Sequence, residues 1–197
     1  MTNYIFSPAP TMGVGDHPFV TWDGGFTEQE LQSIIEYCDK LPVSPATLGD
    51  SEVHTEYRRS DVAWVPSNPE TMWIFDRLAW ILKQLNSQFY QFDMYGFCED
   101  AQYTVYNDYC QGNYDWHVDA GATTSAPRKL SLVLQLSNPE EYSGGNLEIL
   151  TGRDSTAVNK KLGLISVFPS YVLHRVTPVT EGTRKSLVIW ASGPKFR

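Results

Sequence analysis

Two kinds of hydrophobic spacing divide this chain. Between Thr27 and Cys38, apolar Leu31, Ile34, Ile35 and Cys38 recur at helical intervals. Thr27 followed by Glu30 is a capping-box pattern, so the spacing predicts an amphipathic helix over 28–40, stopped by Pro42 and Pro45. Pro69 and Glu70 introduce a second helical stretch. Trp73, Ile74, Leu78, Ile81, Leu82 and Leu85 form its apolar stripe, and it is expected to run to about Tyr90. Before these helices, residues 1–25 read as an irregular arm. Residues 43–56 read as a loop, and Ser60 to Val65 as a strand.

From about Phe92 the period shortens to that of strands. Gln102 to Tyr109 is rich in aromatic and β-branched residues, and Lys129 to Leu136 is a long strand candidate. Ser143-Gly144-Gly145-Asn146 is a turn leading into Leu147 to Leu150. Leu164 to Phe168, Leu173 to Pro178 and Lys185 to Ala191 are further strands. Short strands with Gly and Pro punctuation predict a mainly β fold with N-terminal helices (α+β), its core a sandwich or jelly roll. The helices are expected to cover one outer face. The chain is expected to be one domain, 1–197, with the β core over about 92–192.

Composition narrows the function classes. The formal charge of -8 argues against direct nucleic-acid binding, and no run of Lys and Arg offsets it. Cys38, Cys98 and Cys110 show neither CxxC nor a secreted-framework spacing and read as free thiols. The start, MTNYIFSPAP, does not read as a signal peptide, and no stretch approaches the roughly 18 apolar residues of a membrane span. A cytoplasmic protein off the membrane is expected; oligomeric state is left open. The 11 tyrosines and 6 tryptophans suit either a sandwich core or pocket walls.

The chemistry-bearing residues are few. His117 and Asp119 are two positions apart, which on a strand puts both side chains on one face. His174, in Leu173-His174-Arg175-Val176, must come from another strand, and Arg184 follows ten positions beyond it. Two imidazoles and one carboxylate form a facial triad for Fe(II), leaving the opposite coordination positions open. Asp115 is equally spaced from His117 and is a rival carboxylate. An HxD pair alone is weak evidence, and a surface ion pair is its plain alternative. His17 and His54 lack such context and read as surface residues.

The ordered combination is more specific. Tyr106-Asn107-Asp108-Tyr109, Gly112 to Asp119, Leu130 to Pro139, Glu141-Tyr142-Ser143-Gly144-Gly145-Asn146-Leu147, Phe168-Pro169-Ser170 and Leu173 to Val179 together resemble the Fe(II)- and 2-oxoglutarate-dependent dioxygenases. The resemblance is closest to the prolyl 4-hydroxylase-like group with the bacterial PKHD-type hydroxylases, over roughly residues 58–192. It implies a double-stranded β-helix (jelly-roll, cupin-like) core. It also implies His117, Asp119 and His174 as iron ligands, favouring Asp119 over Asp115. Arg184 would pair with the distal carboxylate of 2-oxoglutarate, for which a guanidinium offers two parallel donors. Tyr109 matches the tyrosine that adds a hydroxyl there, with Tyr106 as competitor. Trp190 shares the parity of Arg184 and would either wall the same pocket or fill the barrel, whereas Lys185 should face the other way.

The implied activity is hydroxylation of an unactivated C–H bond using O2, with release of succinate and CO2 and with ascorbate as a candidate reductant. A peptidyl proline is the favoured substrate, in a protein or peptide; a free amino acid or other small molecule is the alternative. Tyr57, Arg58, Trp64 and Trp116 are candidate substrate-wall residues, with Arg59 beside them, and the loops 43–60 and 120–128 are candidate rims. A jelly-roll binding protein with a degenerate metal site would lack a ligand or the cosubstrate cation. A zinc hydrolase is disfavoured by Arg184.

Overall fold

Period-two alternation sorts the strands of the computed structural model into two packing layers; residues 17–47, 56–120 and 127–195 are described. The larger sheet has nine strands. Its main path joins β1 (Val20–Trp22), β12 (Ile165–Pro169), β8 (Arg128–Gln135), β14 (Val179–Ser192), β6 (Ala101–Asn107), β4 (Asp61–Val65) and β2 (Ser44–Pro45). β5 (Gly96–Phe97) and β9 (Tyr142–Gly144) pair with the two ends of long β14. The smaller sheet runs β11 (Ser155–Ala157), β10 (Leu147–Leu150), β13 (His174–Val176), β7 (Asn113–His117) and β3 (Arg58–Arg59).

One face of the large sheet meets the helices. Leu130, Leu132, Leu134, Leu187 and Ile189 point to α1 (Glu28–Cys38) and α2 (Met72–Leu85), whose Leu31, Ile34, Ile74, Leu78 and Ile81 complete that core. The intervening positions, such as Val133 and Val188, turn inward against Leu147, Ile149, Phe168 and Val176. The double-sheet core with helices outside one sheet is therefore the expected jelly-roll arrangement. Among the described residues, no helix is long and apolar enough to cross a membrane.

Local chemistry explains the element ends. The Thr27 hydroxyl accepts from Glu30 N at 3.2 Å while Glu30 Oε2 accepts from Thr27 N at 2.8 Å, the reciprocal capping box that starts α1. Helix α2 starts later than the Pro69–Glu70 signal suggested. Asn68 Oδ1 accepts from the backbone N–H groups of Glu70 and Thr71, so a turn consumes those residues. A π-helical turn, Asn86–Tyr90, then carries the helical path to the expected end.

Two segments depart from the expected loops. Val20–Trp22 forms an edge strand on β12 with Val20 opposite Val167, so the arm is regular where it reaches the sheet. Ser44 and Pro45 likewise pair with Val62 and Asp61, an edge position where proline's missing N–H is harmless. Residues 1–16 of the arm and residues 48–55 of the loop, with His54, lie outside the described residues.

Candidate metal centre

The smaller sheet builds the site by cross-strand pairing. His117, the last residue of β7, is the register partner of His174, the first of β13. Opposed residues share a face, so the two imidazoles meet with ring centroids 4.1 Å apart. Asp119 lies just past the end of β7, not on it as the HxD spacing suggested. Its backbone N–H donates to Ser170 O at 2.8 Å, and that of Ala120 to the same oxygen at 2.9 Å. This bond to the turn after β12 folds Asp119 back toward the histidines.

The three side chains converge at one point. Asp119 Oδ1 is 3.7 Å from His117 Nε2, and Oδ2 is 3.5 Å from His174 Nε2. One ligand atom from each lies within 4.8 Å of the others. The separations are too long for hydrogen bonds but suit three donors around one small ion. His117 Nδ1 faces Asp115 O at 2.7 Å and His174 Nδ1 faces Val172 O at 2.9 Å. A carbonyl only accepts, so each Nδ1 carries the hydrogen and each Nε2 turns its lone pair inward. Ser131 Oγ donates to Asp119 Oδ2 at 2.7 Å and orients the carboxylate.

Electrostatics agree with this donor set. Burial, then the neighbouring His174, push the His117 pKa down to about 4 against the opposing pull of Asp119, so its imidazole is neutral at pH 7. Burial alone would raise Asp119. The adjacent histidines, the Ser131 hydrogen bond and Trp190 outweigh it and hold the carboxyl below its usual range. A neutral imidazole and an ionised carboxylate are the forms that bind a metal. Rival Asp115 instead points outward, its Oδ1 accepting from Trp116 N at 2.8 Å.

A cavity opens from this cluster between the sheets. Arg184, Ser186, Val188 and Trp190, alternate residues of β14, line one wall. Arg184 is 2% exposed and its Nη1 reaches Ser186 Oγ at 3.4 Å. Trp190 Nε1 is buried without a hydrogen bond of ordinary length among the described residues, and Asp119 is the acceptor it influences at longer range. Lys185 faces away, as its parity predicts, and bridges Asp39 at 2.7 and 2.8 Å.

The two candidate tyrosines separate clearly. Tyr106 is buried in the wall, with the Arg184 guanidinium 5.4 Å from its ring. Tyr109 is 79% exposed, because the strand ends at Asn107 and a 3-10 turn, Asp108–Cys110, carries it outside. Tyr109 is thus corrected from cosubstrate contact to surface residue. Accordingly, Tyr109→Phe should leave the 2-oxoglutarate KM within about 2-fold of wild type, whereas trimming buried Tyr106 to Leu should raise it roughly 10-fold; a steady-state titration of both variants checks the contrast.

The substrate-wall candidates also divide. Arg58 lines the cavity, donating to Ser60 Oγ at 2.8 Å and Gln102 Oε1 at 3.0 Å. Tyr57 supports this wall from behind, its hydroxyl donating to Trp116 O and its ring edge-on to Tyr114. Trp64 stands at the rim, 47% exposed and 6.4 Å from Trp190. Trp116 does not reach the cavity. It lies on the opposite face of β7, under the Arg175 guanidinium at 4.6 Å. Arg59 reaches Asn113 Oδ1 at 2.7 Å, away from the cluster. His17 is exposed and packs edge-on against Phe89. Of the rim 120–128, residues 121–126 lie outside the described residues.

Sequence reasoning missed Tyr114, whose ring stacks on His117 at 3.4 Å and under Arg58 at 4.4 Å. By strict alternation it would face away from His117. A β-bulge between His174 and Val176 sets Val176 opposite Tyr114 and places the ring inside. Gln102 and Thr104 were missed too, although alternation with Tyr106 along β6 carried the signal.

Residues 101–192 match the model of the 2OG-Fe(II) oxygenase superfamily. The matched stretch runs from β6 to the end of β14 and holds the whole His-Asp-His cluster. The chain shares 45% identity over 85 residues with a PKHD-type hydroxylase of Teredinibacter turnerae, covering 40% of this chain and 37% of that one. A PKHD-type hydroxylase of a Synechococcus strain is 41% identical over 80 residues, 41% of this chain and 36% of that one. The chain thus spans well under half the length of these curated relatives. In overall shape the chain resembles a prolyl-4-hydroxylase of Pseudomonas putida, with a TM-score of 0.73, 19% identity, and coverage of 91% of this chain and 94% of that one. It also resembles a Trichoplax adhaerens prolyl hydroxylase in complex with a hypoxia-inducible-factor degradation-domain peptide, with a TM-score of 0.74, 14% identity, and coverage of 89% and 83%.

Proposed function

We propose that this chain is an Fe(II)- and 2-oxoglutarate-dependent hydroxylase. The observation that carries the reading is that His117, Asp119 and His174 open into the same cavity as buried Arg184. Fe(II) fits the donor set, held by His117 Nε2, an Asp119 oxygen and His174 Nε2, and three protein ligands leave coordination positions free. Bound there with 2-oxoglutarate and O2, it supplies the oxidising power to hydroxylate an unactivated C–H bond, with succinate and CO2 as co-products.

The chain's own groups do the positioning. Ser131 holds the carboxylate rotamer, and the two carbonyls behind Nδ1 hold the imidazole planes. Arg184 offers a planar pair of donors to the distal carboxylate of 2-oxoglutarate, with Tyr106 packed against it. Val133, Val188 and Leu147 keep water from the space between. A peptidyl proline is the favoured substrate, supported by the PKHD-type relatives and the prolyl hydroxylase-like fold, with Arg58 and Trp64 at the entrance. Free amino acids are the competing substrate class. The free thiols, including exposed Cys98, fit a reducing compartment, and ascorbate would serve to keep iron reduced.

The test is turnover by purified protein. Succinate should form only when Fe(II), 2-oxoglutarate and O2 are all present, and proline-containing peptides should gain a single oxygen by mass. Succinate formation that persists after chelation of the metal would refute the reading. Oxygen transfer to free proline but to no peptide would move the substrate to the small-molecule class.

A further inference from the structure

Beside Arg184 lies a second, small space whose walls include Lys160, Tyr142, Gln135 and Asn159. Arg184, Val133 and Leu147 border both spaces, so the second space adjoins the metal-centre cavity at Arg184. Lys160 sits on the segment between β11 and β12. Its Nζ donates to Gly144 O at 2.5 Å and lies 4.6 Å from the Tyr142 ring centroid. Gly144 and Gly145 make this closeness possible. Both have positive φ, and a Cβ on Gly145 would come within 3.1 Å of Arg184 Cδ.

Two cations therefore border one small, partly closed space. Among the described residues neither pairs with a carboxylate. Burial first, then the charge of Arg184, holds the Lys160 pKa below its ordinary value. Uncompensated like charges facing one space cost free energy, which an anion between them relieves. Tyr142 adds a hydroxyl that already accepts from Gln135 Nε2 at 2.9 Å, leaving its own hydrogen available.

We propose that Lys160 is a second cation of the cosubstrate carboxylate subsite, binding the distal carboxylate of 2-oxoglutarate jointly with Arg184 and tying the β11–β12 segment to the bound cosubstrate. The inference rests on the hydroxylase reading and adds to it a residue outside the segments that carried the family resemblance. Its carbonyl partner, Gly144 O, keeps the ammonium aimed across the Tyr142 ring, and one more hydrogen of the ammonium remains for the ligand.

The experiment is calorimetric titration of 2-oxoglutarate into the Zn(II)-substituted protein without turnover, using wild type, K160M, K160Q and K160R. Removal of the charge in K160M and K160Q should raise Kd about 10-fold, and K160R should stay within about 2-fold of wild type. The loss should shrink as salt is added. Melting of each metal-free variant reports folding, and the K160Q–K160R pair decides should K160M fail to fold. Equal Kd in all four proteins overturns the proposal and leaves the hydroxylase reading intact. A loss in K160R equal to that in K160Q makes Lys160 a structural clip and also overturns it. Wild type that binds no 2-oxoglutarate overturns both readings.

Discussion

Replacing His174 by alanine should lower metal affinity by at least about 100-fold and reduce succinate formation below detection. Groups that merely orient a ligand cost 10–100-fold on removal, so loss of a ligand itself should exceed that. The side chain sits in a crowded, nearly dry position, with the Phe168 ring 4.6 Å from its own and Asp119 Oδ2 at 3.5 Å. Among the described residues the donor cluster holds only His117, Asp119 and His174, so no neighbour substitutes for the lost Nε2. Co(II) titration followed by visible absorption measures the affinity, and circular dichroism confirms that the overall strand content is kept. Unchanged Co(II) affinity and turnover in H174A would remove His174 from the ligand set. Asp115→Asn is the matched control, since that carboxylate points outward; it should leave Co(II) affinity within about 2-fold of wild type.

Much of this architecture was legible because burial imposes a period. The capping box at Thr27, the apolar stripe of α2 and the alternation on β8 and β14 each state a local rule that the fold then obeys. Arg184 and Trp190 shared a face by counting alone, and Lys185 lay opposite for the same reason. What stayed hidden depends on where a strand stops or slips. Tyr109 looked like one more strand residue, yet the chain turns after Asn107 and leaves it in solvent. Tyr114 looked outward until a bulge in the β7–β13 pairing brought it under His117. Asp119 reached the site through a backbone bond to Ser170, a partner 51 positions away in a turn after β12 that no short-range spacing encodes. Edge pairing of Val20–Trp22 was hidden likewise, since a three-residue strand has too little pattern to announce itself.

Arg184→Met should separate cosubstrate binding from metal binding. Methionine keeps much of the stem volume while removing the guanidinium, so the β14 wall persists with only its charge deleted. Truncating one partner of a buried charge pair costs about 3 kcal/mol, which corresponds to a roughly 100-fold higher Kd for 2-oxoglutarate. Metal affinity should change little, because the triad's own partners are Ser131, Asp115 O and Val172 O. The apo protein should not be destabilised. Arg184 is 2% exposed, with a long hydrogen bond to Ser186 Oγ, the Tyr142 hydroxyl and Tyr106 ring nearby and no carboxylate partner among the described residues, so its charge is a cost to the empty fold. A melting temperature equal to or above that of wild type, joined to a large loss of 2-oxoglutarate affinity, is the signature of a residue kept for its ligand. Unchanged 2-oxoglutarate affinity would remove Arg184 from the site, and a steep fall in melting temperature would make it part of the fold's own framework.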